Sequence, residues 1–140
     1  MTTIAIDDNT IAADGLAVRN DIKESFNCQK LIKRDGVIYA MAGRLEHCLD
    51  LVDLLSNRTD EIDPDIEGNV IAVYEDSVRI YWLKDGVMDS DLVEPPYAIG
   101  SGADYAYSAM KLGLSAKEAV KHAASIDLHT GGKIKTIKYK

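Results

Sequence analysis

The sequence predicts an α+β protein in which two stacked β-sheets carry helices on their outer faces, a four-layer α-β-β-α sandwich. Three observations predict it. Strand-like runs, one helical stretch, further strand-like runs, two helical stretches and a final strand follow one another in that order. One run, Val37-Ile38-Tyr39-Ala40-Met41-Ala42, is apolar without alternation, which means burial on both faces and a layer on either side. The 140 residues, 46% hydrophobic and 28% charged, suffice for one core and show neither linker nor repeat, so residues 1–140 are read as a single domain.

Residues 1–15 read as a strand, a tight turn at Asp8-Asn9 and a returning strand that ends on Asp14-Gly15. Residues 16–27 lack a helical period and carry a turn signal at Arg19-Asn20-Asp21, so they read as loop with short strands. Residues 29–34 and 36–42 flank Asp35-Gly36, a strong hairpin signal. Gly43 closes the return strand. Leu45, Cys48, Leu49, Val52 and Leu55 then recur at helical spacing, with Glu46, Asp50 and Asp53 on other faces, and this helix ends near Ser56-Asn57. Residues 57–68 hold five acids and one proline and read as a solvated loop. Residues 70–74 and 78–83 make a third hairpin about Glu75-Asp76, and Asp85-Gly86 turns the chain again. Trp82 reads as a core anchor rather than a ligand-stacking residue. After Pro95-Pro96 comes a short strand at 97–100. Residues 101–112 form an Ala- and Tyr-rich helix stopped by Gly113, and Ser115-Ala116-Lys117-Glu118 is a capping box opening a second helix that runs to about Asp127. Beyond Gly131-Gly132, residues 133–139 alternate Lys with Ile, Thr and Tyr as a final edge strand.

The net charge of −7 opposes nucleic acid and anionic membrane surfaces as partners. No apolar run approaches the roughly 18–20 residues of a membrane span, and the first residues lack the regions of a signal peptide, so a cytoplasmic location is expected. Cys28 and Cys48 are too few for a disulfide framework and do not form a metal-like spacing; reduced, partly buried thiols are expected. His47, His122 and His129 lie in separate segments with no pair at ligand spacing, so neither metal nor cofactor is expected.

Thr2 is the residue with chemistry to offer. Once Met1 is removed, Thr2 carries a hydroxyl and a free α-amine, a nucleophile and its base on one residue. Such an amine has an ordinary pKa of about 7.7–8.0, so at neutral pH a fraction is unprotonated and accepts the hydroxyl proton without a histidine. With Met1 attached, Thr2 has only an amide nitrogen, which is no base. A Met-Thr-Thr start also fits plain strand composition.

Several motifs fall in one order along the chain: Thr2-Thr3-Ile4, Ala12-Ala13-Asp14-Gly15, Lys30, Ala40-Met41-Ala42-Gly43, Ile99-Gly100-Ser101-Gly102-Ala103-Asp104-Tyr105-Ala106 and Asp127-Leu128-His129-Thr130-Gly131-Gly132. Together they resemble the bacterial protease HslV and the proteasome β-subunits, threonine proteases of the N-terminal nucleophile (Ntn) hydrolase superfamily. The resemblance implies Thr2 as nucleophile with its own amine as general base. Lys30 is then the charge beside Thr2, Asp14 the partner of Lys30, and Ser101, Asp127 and Thr130 a polar network around the amine. The family more often has serine where Thr130 stands. The oxyanion donor is implied to be a backbone N–H near Ala40. Further implications are a peptide or unfolded-protein substrate, a homo-oligomer such as a ring, and an ATP-dependent unfoldase as partner.

The chain also departs from the family. Between Gly43 and Val70 family members usually carry two helices, whereas only residues 45–55 have helical period, so one helix of that layer is missing. That layer shapes subunit contacts and the unfoldase docking face in HslV-like rings. Ala40 stands where the family tends to have glycine. Two alternatives therefore stand beside the threonine peptidase: a catalytically silent assembly or interaction protein on the same scaffold, and an amidohydrolase acting on a small amide. Such a pared-down chain fits a bacteriophage, acting in its host's cytoplasm, as well as a bacterium. Taken singly, each site residue has a plainer reading: Asp14 as a turn former, Lys30 as a strand-surface lysine, Ser101 as a helix N-cap, Asp127 and Thr130 as helix-end residues.

Overall fold

The computed structural model describes residues 2–140, so Met1, on whose removal the chemistry of Thr2 depends, lies outside the described residues. In chain order the elements are β1 (Thr3–Ile6), β2 (Thr10–Ala13), β3 (Ala17–Arg19), β4 (Ile22–Ser25), β5 (Leu31–Arg34), β6 (Val37–Ala42) and α1 (Leu45–Leu55). They continue with β7 (Gly68–Val73), β8 (Val78–Lys84), β9 (Val87–Leu92), β10 (Tyr97–Gly100), α2 (Ala103–Lys111), α3 (Ala116–Ala124) and β11 (Lys135–Lys138). The expected α+β class holds, with antiparallel strand pairing throughout the described ladders. The chain divides into two compact units, Met1–Leu31 with Glu94–Lys140, and Ile32–Val93.

In the first unit a four-stranded sheet has the order β10-β1-β2-β11, with β11 at an edge as expected. β1 is an interior strand with all four residues buried, which is why Thr3-Ile4-Ala5-Ile6 carries no charge. In the turn between β1 and β2, Asp7 Oδ1 accepts the N–H groups of Asn9 (2.9 Å) and Thr10 (2.8 Å). Its Oδ2 accepts the Ala116 N–H at 2.8 Å, tying that turn to the first residue of α3. The helices pack on the sheet through small side chains, Ala106, Ala109, Ala119 and Ala123 clustering with Ala5 and Ala12.

The helix ends are set by local sequence. After α2, Gly113 takes φ +105°. Its N–H bonds the Met110 carbonyl (3.0 Å) and the Leu114 N–H bonds that of Ala109 (3.1 Å), a Schellman pair. At the start of α3, Ser115 Oγ accepts the Glu118 N–H at 3.2 Å while Glu118 Oε1 accepts the Ser115 N–H at 3.1 Å, the expected capping box. β3 and β4 form a separate two-stranded hairpin turning at Asn20-Asp21, both at positive φ.

In the second unit a five-stranded sheet runs β5-β6-β7-β8-β9 in simple succession. Asp35-Gly36 (φ 54° and 80°) and Asp85-Gly86 (φ 53° and 75°) both take the left-handed turn that matches strand twist. Tyr39, Met41, Val70, Ala72 and Leu83 pack against Cys48, Leu51 and Val52 of α1. Ile38, Ala40, Ile71 and Ile80, which alternate with them, are buried as well, so the unbroken apolar run of β6 does mark a strand buried on both faces. One helix, α1, lies between Gly43 and Val70, followed by an exposed acidic loop, as expected. Cys28 is half-buried and Cys48 buried, and neither is in a disulfide.

One strand went unread in the sequence, and one expectation is corrected. β9 reads Val-Met-Asp-Ser-Asp-Leu and carries no strand pattern in sequence, yet the turn at Asp85-Gly86 places Val87 opposite Lys84 and the ladder continues to Leu92. The N–H groups of Ser90 and Leu92 are taken by the carboxylates of Asp89 and Asp91, both at 2.9 Å, so this edge is charged and two of its donors are occupied. Trp82 is no core anchor: it points to the opposite face from buried Leu83, opposite Asp89 of the edge strand, and is 37% exposed.

Candidate active site

Six of the residues singled out in the sequence, Thr2, Asp14, Lys30, Ser101, Asp127 and Thr130, belong to the first unit. The sheet order explains how. β1 places Thr2 and Thr3 between β10, which leads into Ser101, and β2, which leads into Asp14. The turn after α3 brings Asp127 and Thr130 to the same strand end.

Asp14 and Lys30 form a buried ion pair, Lys30 Nζ to Asp14 Oδ1 at 2.8 Å, with Lys30 only 5% exposed. Lys30 is therefore no strand-surface lysine. A buried charge pair survives only if the remaining hydrogen-bonding capacity is also met. Here Lys30 Nζ also donates to the Leu16 carbonyl at 2.7 Å. Asp14 Oδ1 accepts the Thr3 N–H at 3.0 Å, and Oδ2 accepts those of Gly131 (3.0 Å) and Leu16 (3.3 Å). The pair thus grips the backbone one residue after Thr2.

The second cluster is centred on Asp127. Its Oδ2 accepts hydrogen bonds from Ser101 Oγ and Thr130 Oγ1, each at 2.6 Å, and its Oδ1 accepts the His129 N–H at 3.2 Å. Burial pushes this carboxyl up, but the two hydroxyls and the N–H outweigh burial and hold it below the ordinary carboxylate range. Ser101 does not cap α2, whose N-cap is Gly102 with no side-chain cap. A serine has one proton to give. The short bond to a charged acceptor wins it over the 3.4 Å alternative to the Thr2 carbonyl. Ser101 Oγ then stands as acceptor for the Thr2 nitrogen at 3.2 Å.

The Gly100-Ser101-Gly102 motif has a steric explanation on both sides of the serine. A Cβ on Gly100, at φ +101°, would lie 2.0 Å from the Thr2 carbonyl oxygen, and one on Gly102 would lie 2.1 Å from Thr3 Oγ1. Only glycine lets β10 and the start of α2 approach the Thr2-Thr3 backbone this closely.

Sequence reasoning missed Thr3 and the backbone groups that complete the site: the Leu16 carbonyl and the N–H groups of Leu16, His129 and Gly131. Thr3 is fully buried; its N–H goes to Asp14 and its Oγ1 lies 2.7 Å from Thr130 Oγ1. The one local signal for it was a hydroxyl residue at the start of an otherwise apolar strand. Backbone groups carry no sequence signal at all. No cluster of three or more His, Cys, Asp or Glu residues is arranged for a metal among the described residues.

No protein-family model and no curated protein sequence matches the chain. A solved structure of Thiobacillus denitrificans BPH, a bacterial proteasome homologue, is similar to it at TM-score 0.71 with 20% identity, covering 98% of this chain and 96% of that one. The same figures hold for Thiobacillus denitrificans BPH in complex with epoxomicin. The chain has a proteasome-like fold. Within this proteasome-like chain, Ala40 lies on β6 of the second unit, fully buried and opposite Ile71 of β7. No helix among the described residues is long and apolar enough to cross a membrane.

Proposed function

We propose that this protein is a threonine-type peptidase of the HslV and proteasome kind, with Thr2 as its nucleophile once Met1 is removed. One observation carries the reading: the Thr2 nitrogen meets a serine whose own proton is committed to a carboxylate. On the mature chain that nitrogen is an amine. It gives an N–H to Ser101 and keeps its lone pair for the Thr2 hydroxyl proton. As the proton moves to the amine, Oγ1 attacks the peptide carbonyl carbon and the carbonyl π-pair moves onto oxygen. When the tetrahedral species collapses, the C–N bond breaks and the leaving nitrogen takes the proton from the Thr2 amine. Water, deprotonated by the same amine, then cleaves the ester and restores the hydroxyl. Lys30, held by Asp14, contributes positive charge that favours loss of the hydroxyl proton. The backbone N–H of Ala40 is carried in this proposal as the oxyanion donor, as the sequence resemblance implies.

The proposal extends to organisation: one domain in the four-layer α-β-β-α arrangement, a homo-oligomer, peptide or unfolded-protein substrates, and an ATP-dependent unfoldase as partner. The proteasome-like fold, and the epoxomicin complex of Thiobacillus denitrificans BPH, support it.

The test is intact mass of the purified protein before and after incubation with epoxomicin. Loss of Met1 with a single adduct mapped to Thr2, absent in Thr2→Ala, is the expected result. Met1 loss without an adduct, or an adduct that persists in Thr2→Ala, overturns the assignment of Thr2. Retained Met1 without an adduct points instead to a scaffold that keeps the fold without the reaction. Turnover of small amides with none of unfolded protein favours the amidohydrolase.

A further inference from the structure

We infer that Thr3 is a positioning residue whose hydroxyl is an obligate donor to Thr130, joining the Asp14 and Asp127 clusters into one clamp on the Thr2 backbone. The inference rests on the peptidase reading for its kinetic consequence, but its structural basis is independent.

The donor assignment follows from counting protons. Thr130 has one hydroxyl proton, and Asp127 Oδ2, 2.6 Å away, is an anionic acceptor for it. The 2.7 Å contact between Thr130 Oγ1 and Thr3 Oγ1 then needs its proton from Thr3. Asp127 thereby turns two hydroxyls into acceptors, Ser101 towards the Thr2 nitrogen and Thr130 towards Thr3. Thr3 is also the residue whose N–H goes to Asp14, itself bonded to Lys30. Its backbone is held by one cluster and its side chain by the other. A Thr3 that turned its hydroxyl away would leave Thr130 without a donor in a fully buried place and loosen the peptide that fixes Thr2. Gly102 makes room for that hydroxyl, since a Cβ there would also come within 3.1 Å of Thr130 Oγ1.

The test compares Thr3→Val, which keeps shape and removes the hydroxyl, with Thr3→Ser, which keeps the hydroxyl. Carbon-13 NMR follows the Asp127 carboxyl through its titration; its hydrogen-bond partners are the Ser101 and Thr130 hydroxyls and the His129 N–H. Thr3→Val should raise the Asp127 midpoint by a measurable fraction of a pH unit, and Thr3→Ser should leave it in place. In active enzyme, Thr3→Val should lower kcat roughly tenfold or more with KM within about twofold, and Thr3→Ser should recover most of the loss. An unchanged Asp127 titration in folded Thr3→Val overturns the inference whether or not the protein is a peptidase. A wild-type protein with no activity but with the expected Asp127 shift would sink the peptidase reading and leave the clamp standing. A Thr3→Val effect on KM alone would also overturn the positioning role.

Discussion

Two carboxylates dominate at the residue scale, and they respond to different insults. Asp14 is sealed by Lys30 and three backbone N–H groups, so removing the cation leaves a buried charge whose desolvation is only partly offset. Lys30→Met should destabilise the fold by about 3–5 kcal/mol, the range seen when one partner of a buried pair is removed. Urea unfolding measures it; a loss under about 1 kcal/mol would mean that water reaches the site. Asp127 is half-buried and its folded pKa lies below the ordinary value of 3.8. A depressed carboxylate stabilises fully above its unfolded value, and that contribution is lost as pH falls through the lower folded value. Asp127→Asn should therefore cost a constant amount of stability near neutral pH, and the gap to wild type should narrow below about pH 4, the unfolded carboxylate range. Thermal melts from pH 7 to 2 would show this, and parallel curves would count against it.

At the scale of elements, a helix cap and a close strand approach each make a contribution that can be measured. Ser115→Ala removes one half of the α3 capping box, and about 1 kcal/mol should go with it. Hydrogen exchange should quicken first at the Ala116, Lys117 and Glu118 amides. Protection unchanged there would mean that the Asp7 carboxylate, which holds the Ala116 N–H, caps the helix by itself. Gly100→Ala is a harder blow, because a side chain at φ +101° is strained and its Cβ would meet the Thr2 carbonyl. The strand β10 must then draw away from β1, so epoxomicin labelling of Thr2 should fall at least tenfold even where the protein still folds. Equal labelling rates in folded protein would show that the β1–β10 distance is not critical.

For the molecule as a whole, the proposed oligomer has a direct readout. Leu112 and Leu128 of the first unit are each more than 80% exposed, and Tyr105, Tyr107 and Ile126 are also open to solvent. Apolar exposure of this kind is a candidate for burial against other copies. Sedimentation at micromolar concentration should give a particle of several chains, and Leu112→Asp should shift it towards smaller species. A monomer at every concentration would remove the ring from the proposal.

What the sequence alone determined is what depends on neighbours along the chain. Asp-Gly turns need only their own backbone preferences, Gly113 and Ser115 terminate helices through groups a few residues away, and the pattern of residues 45–55 reports one buried helix face. These are local energies, and they fixed the hairpins, the three helices and their order. β9 escaped because its pairing comes from a turn and a partner strand rather than from its own residues, and Trp82 because position in a sheet decides exposure. The individual site residues were legible as a set of motifs, yet their bonds were not. Thr2 meets Ser101 across 99 positions and Thr3 meets Thr130 across 127. No local preference selects such partners. Only the tertiary structure, by laying β10 and the turn after α3 beside β1, decided which hydroxyl gives its proton to which oxygen.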